Sequence, residues 1–106
     1  MTVLRFDIRH PDGRTEALVV EGERILIGHG AHCEIRLPLD RAALEHIVIE
    51  APGGVVRAEA RAYEPPATIN GVPFTEAQLA PDSVLSVGGV EMRVAPGAAA
   101  AGEQVV

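Results

Sequence analysis

The sequence predicts an all-β fold, a sandwich or a barrel. Three observations carry that expectation. Apolar and polar residues alternate with a period of two from one end of the chain to the other, as in strands with one buried face. Turn signals built on Gly, Pro, Asn and Asp recur at intervals of about 8 to 12 residues, the spacing of short antiparallel strands. Helical periodicity, in contrast, is confined to two short stretches.

The first strand is read from Leu4, Phe6 and Ile8 alternating with Arg5, Asp7 and Arg9. "HPDGR", His10 to Arg14, follows as a hairpin turn, because proline presets the first turn angle and glycine accepts the left-handed one. Two strands rich in Val, Ile and Leu, Glu16 to Glu21 and Arg24 to Ile27, are separated by the tight link Glu21-Gly22-Glu23. A loop rich in histidine leads to Ile35 and Leu37, which alternate with Glu34 and Arg36. "HIVIE", His46 to Glu50, is the next strand, then a turn at "APGG", Ala51 to Gly54, then alternating Val56, Ala58, Ala60 and Ala62. Asn70-Gly71 in "INGV" marks a sharp turn, and Val84 to Val94 reads as two strands folded on Gly88-Gly89. Pattern alone therefore gives nine to ten strands.

Leu39 to Ile47 could form one helical turn, with Asp40 as N-cap and Ala42, Ala43 and Leu44 favouring helix. The chain from Pro96 is small and polar, too short for a stable helix in water, and is read as a flexible tail or linker over residues 96–106 after one domain over residues 1–95.

Composition bounds the function. A chain of 106 residues buries roughly 65% of its unfolded surface in one core. With aromatics at 3% and hydrophobics at 47%, that core has to be aliphatic. Nine basic against fifteen acidic residues give a net charge of −6, with the basic residues scattered, so nucleic acid and anionic membrane are not expected partners. The single cysteine, Cys33, excludes an internal disulfide, and no apolar run has the length of a membrane span or a secretion signal. A cytoplasmic location is expected.

"LIGHGAHCEIRL", Leu26 to Leu37, concentrates chemistry-bearing side chains. His29, His32 and Cys33 are zinc-ligand types, and His46 could join them, but structural zinc sites use two closely spaced ligand pairs and no second pair exists. No metal or other cofactor is expected. Nor is catalysis: Ser83 and Ser86 do not sit in a strand-turn-helix elbow, the glutamates show no acid and base spacing, and "GHGAHC" lacks the lysine and helix of a phosphate loop.

In order along the chain stand Ile27-Gly28, Ile35 and Leu37, His46 opening an aliphatic strand, Ile69-Asn70-Gly71, Leu79, and Val84 to Gly88. This series resembles a forkhead-associated (FHA) domain from about Thr2 to Val94. The resemblance implies a β-sandwich of about eleven short strands whose loops at one end grip a phosphothreonine peptide. It also implies supporting roles for Gly28, His46, Asn70 and Gly71.

The departures fall on the phosphopeptide residues. His29 stands where the family has arginine, Ala43 where it has the phosphate-binding serine, and Leu44 where a basic residue often follows. "YEPPA", Tyr63 to Ala67, replaces Ser-x-Asn-Gly-Thr and puts Pro65 in place of the asparagine that holds the peptide backbone. A phosphate dianion leaves water only for fixed donors and compensating charge. At about 1.5–3 kcal/mol per hydrogen bond to a charged group, three lost contacts weaken binding by orders of magnitude. Glu45 and Glu64 would add repulsion.

The leading expectation is thus a non-catalytic, phosphate-independent protein-interaction module with an unphosphorylated protein partner. It is similar to cytoplasmic FHA-like domains of membrane-tethered bacterial secretion and motility machines, and the Ala, Arg and Gly usage suits a bacterial genome. One alternative keeps phosphothreonine binding through a pocket rebuilt from His29, His32 and Arg41. Another is homo-oligomeric assembly through exposed strand residues such as Val3, Leu18 and Val48.

Overall fold

The computed structural model describes residues 3–51 and 55–96. Among these residues eleven strands are formed: β1 (Val3–Arg9), β2 (Thr15–Glu21), β3 (Arg24–Gly28), β4 (Ile35–Arg36), β5 (Ile47–Glu50), β6 (Arg57–Ala60), β7 (Thr68–Ile69), β8 (Val72–Pro73), β9 (Glu76–Gln78), β10 (Ser83–Val87) and β11 (Val90–Pro96). They make two sheets, ordered β2-β1-β11-β10-β7-β8 and β4-β3-β5-β6-β9. All pairings are antiparallel except β3 with β4. Most of the expected turn at Ala51 to Gly54, and the tail after Pro96, lie outside the described residues.

Alternation explains the layers. In β1 the side chains of Leu4, Phe6 and Ile8 are buried, while those between them are half-buried or exposed. Met92 and Val94 of β11 face Ile8 and Phe6 across the ladder, so both strands send apolar side chains to one face. Ile25 and Ile27 of β3, Ile47 and Ile49 of β5, and Ala58 and Ala60 of β6 come from the other sheet. The core is aliphatic apart from Phe6, as the composition requires.

The Pro-Asp-Gly hairpin closes β1 onto β2 in register from Arg9 opposite Thr15, with Gly13 at φ +92°. Asn70 and Gly71 adopt φ 51° and 84°, the left-handed pair of a two-residue hairpin joining β7 to β8. The Glu21-Gly22-Glu23 link does something the alternation did not specify: it carries the chain from one sheet to the other.

Three expectations are corrected. Leu39 to Ile47 contains no helical turn; Arg41 N–H donates to the Pro38 carbonyl at 2.9 Å in a reverse turn. The carbonyls of Ala42, Ala43 and Leu44 are drawn away to a neighbouring loop instead of closing i to i+4 bonds. β8 and β9 were missed by pattern, being too short to show a period. Val48 is not exposed: it points away from the core but retains 1% exposure on a face that also carries the Arg57–Glu76 ion pair, while Val3 and Leu18 are half-buried.

Candidate functional site

One end of the sandwich gathers the links β1–β2, β3–β4, β4–β5, β6–β7 and β10–β11. Gly28 is what lets two of them meet. A Cβ there would lie 2.7 Å from the Ala43 carbonyl oxygen and 2.9 Å from the Leu44 carbonyl carbon, and closer still to the Leu44 oxygen. In the absence of that methyl, Leu37 N–H reaches the Gly28 carbonyl at 2.8 Å, His29 N–H the Ala43 carbonyl at 2.9 Å, and Gly30 N–H the Leu44 carbonyl at 3.1 Å.

Side chains reinforce this zipper. His29 Nδ1 donates to the Ala42 carbonyl at 2.8 Å, which leaves Nε2 as its unprotonated nitrogen when the ring is neutral. Arg36 Nε donates to the His29 carbonyl at 3.3 Å. His32 Nε2 and Glu45 Oε2 lie 2.7 Å apart at the surface. Cys33 Sγ donates to the Leu44 carbonyl at 3.3 Å, and burial, with the Glu45 and Glu34 carboxylates adding to it against a Gly30 backbone contact, pushes its thiol up. Glu34 accepts from Leu26 N–H at 2.7 Å. Arg41 sends a guanidinium N–H to the Gly88 carbonyl at 3.3 Å, tying the β4–β5 loop to the β10–β11 turn.

His46 lies beneath the loops, fully buried. Its Nδ1 accepts from Ala43 N–H at 2.9 Å, so Nε2 carries the hydrogen and faces the Pro65 carbonyl without reaching hydrogen-bond geometry. Burial pushes the imidazole below its ordinary value, opposed by that carbonyl. The β6–β7 loop, with a cis Glu64–Pro65 bond, is thereby seated against the β4–β5 loop, and Arg61 N–H donates to the His46 carbonyl at 2.7 Å.

The structure brings His29, His32, Arg41, Ala43, Leu44, Tyr63 and Pro65 to this one end. Gly28 and His46 underlie it, whereas Asn70 and Gly71 lie towards the other end. There Asn70 N–H donates to the Val84 carbonyl at 2.8 Å and its Oδ1 accepts from Val84 N–H at 3.0 Å. Leu39, Leu44 and Tyr63 stand 75%, 54% and 68% exposed. Tyr63, Pro66, Ala67 and Phe74 also line a groove of about 570 Å³ with Glu76 at its rim. Sequence reasoning passed over Leu39, although an apolar residue between Pro38 and Asp40 was a signal, and it missed Phe74 with β8 and β9. Among the described residues no three His, Cys, Asp or Glu side chains are grouped to hold a metal.

No family model matches the sequence, and no curated protein matches it. Solved structures do. The FhaA FHA domain, solved in complex with the intracellular domain of Rv3910, is 26% identical, covering 86% of this chain and 98% of its own, at a TM-score of 0.72. The yeast Dun1 FHA domain, solved with a doubly phosphorylated (pT) peptide derived from Rad53, is 10% identical, covering 97% and 80%, at 0.79. The cytoplasmic domain of the T3SS sorting platform protein PscD from P. aeruginosa is 15% identical, covering 94% and 84%, at 0.75. The chain is therefore an FHA-like β-sandwich, the fold of a class of protein-interaction domains. The likeness covers most of the chain, and several of the similar structures are bacterial, from Synechocystis, Chlamydia trachomatis and P. aeruginosa.

Proposed function

We propose that this FHA-like domain is a non-catalytic module that binds an unphosphorylated protein segment at its loop end, within a larger bacterial secretion, motility or signalling assembly. In that reading it works at the cytoplasmic face of a membrane-tethered parent or machine, without contacting nucleic acid or inserting into the bilayer. Among the described residues no helix is long and apolar enough to cross a membrane.

One observation carries the phosphate-independent reading. The three side chains from which an anion pocket could be rebuilt are each turned to an acceptor of the protein itself: His29 to Ala42, His32 to Glu45 and Arg41 to Gly88. A phosphate would find one donor of each already engaged within the protein, and the Glu45 carboxylate would remain beside the dianion. Ala43 offers a methyl and spends its N–H on His46, while proline at 65 has no amide hydrogen. What the loops do present to solvent is Leu39, Leu44 and Tyr63, apolar anchors suited to a partner's side chains.

The second reading, phosphothreonine binding through His29, His32 and Arg41, draws on the Dun1 likeness, a domain solved with a phosphorylated peptide. Titration of the labelled domain with phosphothreonine peptides distinguishes the two by NMR. The proposal expects no saturable shifts at about 100 μM peptide, a level at which a functional site of micromolar Kd is filled. Binding that strengthens from about pH 8 to pH 6, as histidine takes up its proton, and is lost in His29→Ala would overturn it.

A further inference from the structure

Four strands form the sheet edges: β4, β8 and β9, of two, two and three residues, and β2, of seven. Short edges protect themselves, since they template little pairing. β2 has few of the usual protections: "TEALVVE" contains no proline, no lysine and no arginine, its charges are confined to Glu16, which His10 holds, and Glu21 at the strand end, and its register with β1 runs without a bulge from Thr15 to Glu21.

That register says which backbone groups are open. His10 N–H donates to the Arg14 carbonyl at 2.8 Å, so His10 and Arg14 belong to the hydrogen-bonded class of cross-strand pairs. Alternation then gives Glu16, Leu18 and Val20 to β1, opposite Ile8, Phe6 and Leu4. The N–H and C=O groups of Thr15, Ala17, Val19 and Glu21 point out of the sheet edge, where no described residue bonds them. On the core face, Leu18 and Val20 are only partly buried, and Glu16 is held by His10 Nε2 at 3.0 Å.

We infer that β2 pairs antiparallel with β2 of a second copy of this chain, across a twofold axis at Leu18. This is the one register that overlaps all seven residues, and its parity is correct: Ala17 exchanges hydrogen bonds with Val19 of the other copy, and Thr15 with Glu21. It sets Leu18 against Leu18 on the core face, completing the cover that a single sheet leaves open. The acidic residues do not meet: Glu16 falls opposite Val20 and Glu21 opposite Thr15. Two six-stranded sheets become one of twelve. The loop end stays free in such a dimer, so the inference is independent of the phosphate reading.

The shared edge is about 23 Å long, and its area falls well below a standard interface of about 1,600 Å². Self-association in the range of about 10 μM to 1 mM is expected. Sedimentation of the whole chain over that range should show its average mass rising towards twofold. Val19→Pro removes an outward N–H and no bond to β1; it should weaken association at least about tenfold with an unchanged circular dichroism spectrum. In a Cys33→Ser background, Leu18→Cys should cross-link readily, because a non-hydrogen-bonded pair sets Cα atoms about 4.5 Å apart, within disulfide reach. Thr15→Cys, facing Glu21, should not. A monomer at every concentration, or a dimer that Val19→Pro leaves intact, overturns the inference. So does cross-linking that favours position 15 over 18. Pairing of this edge with an extended peptide of another protein, in the absence of self-association, would also overturn it and give the edge to a different partner.

Discussion

Replacing Gly28 with alanine tests whether the two loops are held together as described. The new methyl would fall 2.7 Å from the Ala43 carbonyl oxygen and 2.9 Å from the Leu44 carbonyl carbon, backbone atoms that no side-chain rotation can move aside. Either β3 or the 43–44 segment has to shift. Overpacking of this kind costs about 1–3 kcal/mol. The shift also endangers His29 N–H to Ala43 and Gly30 N–H to Leu44, each contributing about 0.5–1.5 kcal/mol. Together the penalty is about 2–6 kcal/mol, a large part of the 5–15 kcal/mol typical of a native domain. At about 4–8 °C per kcal/mol for a domain of this size, Tm should fall by about 10 °C or more. Thermal unfolding by circular dichroism reads the loss, and hydrogen exchange at the His29 and Gly30 amides locates it. Gly71→Ala is the control: nothing lies within 4 Å of its Cβ, and only the left-handed φ of 84° costs, about 1–2 kcal/mol, without touching the loops. A Gly28→Ala protein that melts within about 3 °C of the parent, with its two amides protected as before, would refute the steric argument.

Three other outcomes are expected. Burial holds His46 below the ordinary histidine value, so the unfolded chain takes up the proton first; the stability this group confers is complete above about pH 6.5 and declines as pH falls towards its folded-state value. Denaturant midpoints measured from about pH 8 to pH 5 should fall with acid, and His46→Asn, which keeps an acceptor for Ala43 N–H, should flatten that dependence. The His32–Glu45 pair is exposed, and Glu45→Gln should alter unfolding free energy by less than about 1 kcal/mol in urea; a larger loss would mean that the pair anchors the loops. Cys33, buried and with its thiol pushed up, should react with iodoacetamide at least about tenfold more slowly than free cysteine near pH 8, and a rate equal to the free thiol would contradict its bond to the Leu44 carbonyl.

The charged surface also bears on the loop end. Asp12 accepts from Arg14 N–H at 3.0 Å and from its Nε at 2.9 Å, and these contacts keep its carboxyl below the usual range. Arg14, in the β1–β2 link, is thus already paired with a neighbour. That is consistent with an end of the sandwich built to display apolar side chains rather than positive charge.

The strands with a regular period were legible in the chain itself. β1, β2, β5, β6, β10 and β11 each repeat an apolar residue or carry an aliphatic run, and their hairpins are marked by Pro-Asp-Gly and Gly-Gly. Strands as short as β8 and β9 carry no period, and they exist because a neighbouring strand offers them bonds, whereas β4 was legible from Ile35 and Leu37 alternating with Glu34 and Arg36. The same limit applied at Leu39 to Ile47, where local preference pointed to a helical turn but the loop opposite took the carbonyls.

Sequence alone indicated which side chains of the longer strands face the core, because alternation of side chains is a local property of extended backbone, and a resemblance to a known family pointed to candidate residues for the loop end. Tertiary structure decided how those residues are used. Whether His29, His32 and Arg41 face a ligand or an internal acceptor depends on the approach of segments 13 to 47 residues apart in the chain. Hydrogen bonds form between whatever groups the fold places within about 3 Å, and no period or composition encodes that distance.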